Sequence, residues 1–239
     1  MKKLVIVIPA YNEEKILENN ISKIYSFFTK QLKRYDWKII ISDNDSKDDT
    51  LKIAQNISKK LKRVSFVHMN KRPKSLSIKK VWLSEDADIY SYMDADLSTD
   101  IKHFPELIQS LGEGYDIAIG SRTKELRRNR SIKREVMSQT LIFILRNLFS
   151  IKLTDFQCGF KAINRKTKDN IIPKMKALKH GFMDTEMIIV ATKKGYKIKS
   201  IPVNWQDLRE SKIQTFQDVI DTSKNIFRIK LDLIFNKYR

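Results

Sequence analysis

The chain is poor in the residues that break or staple a fold: one cysteine, six glycines, five prolines and three histidines in 239 residues. The single cysteine, Cys158, excludes an internal disulfide, and without a cysteine cluster a structural zinc site is excluded too. A reducing compartment is the expectation. So few glycines and prolines, and no Gly/Ser-rich stretch, leave nothing that marks a hinge between domains. Apolar runs are short as well. Leu141–Leu145 is as long as any, far below the roughly 20 residues that a membrane-spanning helix needs. The opening "MKKLVIVIPAYNEE" loses its apolar run at Pro9 and does not read as a secretory leader.

Hydrophobic residues make up 41% of the chain, enough for a packed core. The formal net charge of +19 is unevenly placed. Residues 1–121 hold 20 Lys+Arg against 17 Asp+Glu, and residues 122–239 hold 27 against 11. An anionic partner for the second half is the reading this favours: nucleic acid, an anionic membrane or a phosphate substrate.

The first half alternates between two periodicities. "KLVIVIP", "WKIIIS", "VSFVH", "DIYSYM" and "YDIAIG" read as strands, and the helical spacings between them predict a helix after each of the first four. That order predicts an α/β fold, a mainly parallel twisted sheet with helices on both faces. Ligands of such sheets sit at the carboxyl ends of the strands. There fall "PAYNEE", "SDNDS", "DADLS" and "GSR". In the second half, residues 131–151 read as an amphipathic helix, "KLTDFQCGFKAI" as a loop, "FMDTEMIIVATKK" as a helix, "YKIKSIPVNW" as a strand, and Thr215 onward as a long basic amphipathic helix.

Asp94 and Asp96 stand one residue apart at a strand end, so both carboxylates can converge on one ligand if the strand persists. Mg2+ or Mn2+ takes oxygen ligands and often keeps only one or two protein carboxylates, with phosphate supplying the rest. Each polar cluster also suits a local cap: Asp96 or Ser98 for the following helix, Ser46 or Asp48 for the second, Asn12 or Glu13 for the first. Seven basic residues lie from Arg122 to Arg134 inclusive, and behind them Ile132, Val136, Leu141, Ile142, Leu145 and Leu148 form a stripe suited to a membrane interface. Phe216, Val219, Ile220, Ile226, Phe227 and Ile234 repeat the theme near the C-terminus.

Taken in order, "IPAYNEE", "DNDSKDDT", "DADLS", "GSR", "DFQCGFK", "MDTE" and "PVNW" with the later "SK" resemble the family-2 glycosyltransferases of GT-A fold across nearly the whole chain. Nearest is the branch that moves a sugar from a nucleotide to dolichyl or polyprenyl phosphate, and within it the dolichyl-phosphate β-glucosyltransferases. The resemblance implies an inverting transfer, with UDP-glucose as donor and Mg2+ or Mn2+ as cofactor. Pro9, Tyr11, Glu13, Asp43 and Asn44 would hold the nucleoside, Lys74 would lie on the donor side, and Asp94 and Asp96 would hold the metal. Arg122, Arg134 and Lys212 would surround the acceptor phosphate or the pyrophosphate. Asp155, Gln157, Asp184 and Glu186 would line the sugar side.

Residues 1–212 would form the catalytic domain, with an interface helix near 131–150, and residues 213–239 a C-terminal basic helix. The protein would sit peripherally on the cytoplasmic face of a membrane. The sequence departs from the family pattern at Asp43-Asn44, at Pro73-Lys74-Ser75 in place of a GKG stretch, and at Arg209-Glu210 before "SK". No Q-x-x-R-W segment is present, which argues against a processive synthase. GDP-mannose or UDP-GlcNAc as donor, or a soluble glycan as acceptor, are the alternatives within the family. A nucleic-acid-binding protein is the alternative outside it, disfavoured because no recognition module is present and carboxylates line the strand ends.

Overall fold

The computed structural model describes residues 1–122, 132–176, 182–206 and 216–238. Seven strands form one sheet: β1 (Lys2–Ala10), β2 (Tyr35–Asn44), β3 (Val64–Met69), β4 (Ile89–Met93), β5 (Ile117–Arg122), β6 (Phe160–Asn164) and β7 (Ile198–Val203), in the order β3-β2-β1-β4-β6-β5-β7. All neighbouring pairs run parallel except those of β6, which is antiparallel to both β4 and β5.

The apolar runs exist because both faces of the sheet are covered. In β1, Leu4, Ile6 and Ile8 enter one core while Val5 and Val7 enter the other. The first face carries α1 (Leu17–Gln31), α2 (Thr50–Lys60) and α4 (Phe104–Gly112), through residues such as Ile21, Phe28, Ile57 and Leu107. The second carries α3 (Lys74–Ser84), α5 (Ile132–Phe149), α7 (Phe182–Lys193) and α8 (Phe216–Ile234), through Trp82, Leu145, Ile188 and Ile229. Pro9 is tolerated in a central strand because the β4 ladder ends at Val7↔Tyr92, so its missing N–H costs no bond on that side.

Two elements differ from the sequence expectation. The end of "KLTDFQCGFKAI" is not loop but β6, with α6 (Arg165–Asn170) following it. Lys161 sits in the middle of this strand, fully buried, and so broke the apolar pattern that would have announced it. The apolar stripe of α5 is divided: Leu145 is buried and Leu141 and Ile142 pack on the core, while Val136, Phe143, Ile144 and Leu148 remain exposed.

The C-terminal helix is held by charge as well as by apolar contact. Glu186 of α7, with no solvent exposure, accepts from Arg228 Nη1 at 3.1 Å, Tyr238 Oη at 2.5 Å and the Lys176 amide at 3.0 Å. Asp232 accepts from Lys176 Nζ and Arg228 Nη1, each at 3.2 Å. Removing one partner of a buried ion pair strands the other. Glu186→Ala should therefore lower stability by about 3 kcal/mol, the low end because Arg228 is partly exposed, while leaving the sheet intact. Urea unfolding followed by circular dichroism reads this directly, and an unchanged midpoint would mean that α8 docks without the carboxylate.

Candidate functional site

The carboxyl edge of the parallel strands gathers the polar clusters, and hydrogen bonds tie them to one another. The loop after β1 is laced to the loop after β2. Asn12 N donates to Ser46 Oγ at 3.0 Å, Lys47 N to Asn12 Oδ1 at 2.8 Å, Glu13 N to Thr50 Oγ1 at 2.7 Å, and Asp49 N to Glu14 Oε2 at 3.0 Å. Neither Ser46, Asn12 nor Glu13 caps its own helix by side chain, contrary to the capping expectation; the N-cap positions of α1 and α2 are Ile16 and Asp49, and neither makes a side-chain cap bond. Asp48 does meet it in part, accepting from Thr50 N at 3.0 Å. The side chains of Asn12, Glu14, Ser46 and Thr50 are spent on joining two loops.

Beneath them lie Asp43 and Asn44, both buried at the end of β2. Asp43 Oδ2 stands 2.7 Å from His68 Nδ1 on β3, its direct register partner, and Asp43 Oδ1 is buried without a hydrogen-bond partner. Tyr11 borders this region with Arg72 over its ring at 4.9 Å.

Asp94 and Asp96 follow the last residue of β4. The reversed strand decides what they meet. Met93 pairs with Phe160, so Asp94 lies beside Gly159, and the Asp94 amide donates to Gly159 O at 3.2 Å. A Cβ on Gly159 would fall 1.9 Å from Asp94 Oδ2 and 2.4 Å from its Cγ. Only glycine admits that carboxylate. From the other side Asn20 of α1, buried, donates from Nδ2 to Ala95 O at 2.9 Å. Asp96 Oδ1 accepts from Ser98 N at 2.9 Å across Leu97, whose φ of 56° is left-handed. Asp96 and Ser98 cap no helix; Asp100 caps the 3-10 turn Ile101–His103 that leads into α4, accepting from Lys102 N at 3.0 Å. Asn12, Asp45 and Leu97, three non-glycine residues with positive φ, all lie on these edge loops, where strain is tolerated because contacts fix it.

Lys74, the first residue of α3, donates to Asp94 Oδ1 at 3.0 Å. Burial disfavours its charge, but Asp94, Asp184 and Asp96 outweigh that and hold the ammonium above the ordinary lysine value. Asp184, near the start of α7, accepts from Tyr92 Oη at 2.6 Å and pairs with Lys161 Nζ at 3.5 Å, while its Oδ1 is buried and unpartnered. Lys161 also donates to Cys158 O. Burial, and then the Asp184 charge, push the Tyr92 phenol well above its usual value. It stays a hydrogen-bond donor.

Arg122, expected at the acceptor phosphate or the pyrophosphate, and Asp155, expected on the sugar side, hold each other. Nε reaches Asp155 Oδ2 at 2.6 Å and Nη2 reaches Oδ1 at 2.8 Å, while the guanidinium lies 5.3 Å over the Trp205 ring. Burial works against Asp155 as an anion, yet the Arg122 bonds and charge keep its carboxyl below the ordinary value. Gln157 is exposed beside them, its amide donating to Asp155 Oδ1 at 3.1 Å. Glu186 turns to α8, as described above. The side chain of Arg134, and Lys212 altogether, lie outside the described residues. Asn20, His68, Tyr92, Gly159 and Lys161 were missed by sequence reasoning, because each is defined by a partner far along the chain.

Among the described residues no group of three or more His, Cys, Asp or Glu forms a metal cluster. Two carboxylates, one of them already matched by an ammonium, fit a hard divalent ion only if a bound phosphate completes its shell.

Residues 5–171 match the family described as Glycosyl transferase family 2. The chain is 29% identical over 226 residues to Glycosyltransferase AglD of Haloferax volcanii, covering 93% of this chain but only 36% of AglD. It is 29% identical over 242 residues to Dolichyl-phosphate beta-glucosyltransferase of Dictyostelium discoideum, covering 95% and 73%, and 28% identical over 257 residues to the human protein of that name, covering 100% and 78%. In fold it is similar to glucosyl-3-phosphoglycerate synthase of Mycobacterium tuberculosis, crystallised with Mn2+, UDP-glucose and phosphoglyceric acid. That likeness has a TM-score of 0.66 at 17% identity, covering 99% of this chain and 80% of the other. The architecture is the GT-A one expected from the sequence.

Gly159→Ala should expel the Asp94 carboxylate while β6 still forms. Calorimetric titration with Mn2+ and UDP should show binding about hundredfold weaker, as misplacement of a site group by an ångström implies; wild-type binding would mean that Asp94 is not a ligand group. For Arg122→Ala, a buried carboxylate is left behind, at a cost of about 3 kcal/mol near neutral pH. Because the folded Asp155 value is depressed, that stabilisation is present above the ordinary carboxylate value of about 3.9 and lost as pH falls through the folded one. The difference between wild type and variant in urea unfolding should therefore shrink on acidification; a constant difference would mean that the pair is not ionic.

Proposed function

The chain belongs to glycosyl transferase family 2, and we propose that it transfers glucose from UDP-glucose to a polyprenyl or dolichyl phosphate at a membrane surface, with inversion. The observation that carries this reading is the Asp94-Ala95-Asp96 turn, held between Asn20 and Gly159 at the strand edge with Lys74 beside it. The names and coverage of the relatives support the choice of donor and acceptor.

Asp94 and Asp96 are the residues to hold Mg2+ or Mn2+ with the donor diphosphate. When bound, such an ion neutralises the charge that develops on the leaving nucleoside diphosphate. Lys74 matches Asp94 in the unliganded chain and is placed to turn to the diphosphate once that carboxylate is engaged. Asp184 Oδ1, with Oδ2 fixed by Tyr92, offers an acceptor for a sugar hydroxyl. A phosphate monoester has its second pKa near 6, so the acceptor is largely a dianion at neutral pH and needs positioning more than a general base. With Arg122 engaged by Asp155, we assign Arg134 and Lys212 to the acceptor phosphate.

The membrane part of the reading rests on where large apolar side chains stay exposed. Phe143 (68%), Phe227 (65%) and Phe235 (66%) lie on α5, on α8 and just after α8. No described helix is long and apolar enough to cross a membrane, so contact would be peripheral.

The test is transfer from a panel of UDP- and GDP-sugars to polyprenyl phosphate, with metal and with chelator. We expect metal-dependent glucosyl transfer, lost in Asp96→Asn. A triple Phe143→Ser, Phe227→Ser, Phe235→Ser variant should lose transfer to acceptor in anionic vesicles and keep it with short-chain acceptor in detergent. No transfer from any donor to the lipid phosphate, by folded protein, would overturn the reading.

A further inference from the structure

We infer that His68 sets the choice of nucleobase, by occupying one oxygen of Asp43 and leaving a single buried acceptor that suits uracil and not guanine. The inference rests on the reading of this edge as a nucleotide-sugar site.

Asp43 is fully buried at the carboxyl end of β2, and its two oxygens have different fates. Oδ2 lies 2.7 Å from His68 Nδ1, the residue directly across the parallel ladder. A carboxylate only accepts, so the ring nitrogen donates. Oδ1 is buried with no partner. An orphaned buried carboxylate oxygen carries a desolvation cost that a ligand donor would relieve.

Bases differ in the donors they present. Guanine offers N1–H and the adjacent N2 amine side by side, a pair that a carboxylate matches with both oxygens. Uracil offers one donor, N3–H, between two carbonyls. With one of the two lone pairs of Oδ2 committed to His68, Asp43 offers an unengaged acceptor only at Oδ1, which matches the single donor of uracil and pairs the second donor of guanine less well. A site of this kind discriminates strongly against the analogue it cannot satisfy. His68 is thus a positioning residue: it need not touch the base, and it stands half-exposed, where its replacement does not open the core.

The experiment is calorimetric binding of UDP and of GDP, each with Mn2+, to the full chain as wild type, His68→Ala and His68→Asn. Asparagine places an amide N–H near the position of Nδ1. We expect wild type to prefer UDP, His68→Ala to narrow the UDP-to-GDP ratio by about tenfold, the order of one hydrogen bond to a charged group, and His68→Asn to restore it. A general structural defect would weaken both ligands together and leave the ratio unmoved. An unchanged ratio in His68→Ala, with wild type selective for UDP, would overturn the role of His68 and leave the transferase reading standing. Equal binding of UDP and GDP by wild type would overturn the inference alone, and binding of neither would overturn the reading of this edge as a nucleotide-sugar site with it; either shows before any variant is made.

Discussion

A carboxylate resting on a glycine α-carbon is the contact on which this architecture turns. Asp94 occupies the volume that any side chain at position 159 would need, and its amide donates to the same residue's carbonyl. That closeness is a product of strand direction. Had β6 run parallel to its neighbours, the "DFQCG" segment would lie at the far end of the sheet from the acidic turn. One reversed strand therefore brings Asp155, Cys158 and Gly159 to the edge where Asp94 already is.

The charge distribution follows a related logic. In a chain of net charge +19, the acidic residues at and behind this edge each have a cation or a donor at hand. Asp94 has Lys74, Asp155 has Arg122, Asp184 has Lys161 and Tyr92, and Glu186 has Arg228 and Tyr238. Buried carboxylates are costly unless matched in this way. Two of them, Asp43 and Asp184, are matched on one oxygen only.

Much of this was legible in the sequence, for identifiable reasons. The strands of the first half are buried on both faces, so they read as unbroken apolar runs, and the edge clusters follow from strand–helix order. The strand around Lys161 was illegible because a buried lysine looks like surface until its partners, Tyr92 and Asp184, are known. Asp184 and Glu186 read as a pair in "MDTE", yet two residues on a helix lie on different sides, and only the fold separates their tasks. Arg122 and Asp155 were both recognised as functional types; that they bind each other depends on the β5 edge meeting a segment 33 residues on. Asn20 and His68 gave no signal, since a helix asparagine and a strand histidine acquire meaning only from what faces them.

The slot that β6 fills lies between β4 and β5, both of which precede it in the chain. Without residues 160–164 those two strands share no ladder, and the hydrogen-bonded sheet divides into β3-β2-β1-β4 and β5-β7. The piece that closes the sheet is also the piece that supplies the glycine under Asp94. The ladder that joins the two parts of the sheet and the seat of the Asp94 carboxylate are thus supplied by one short segment, so a change there touches both at once.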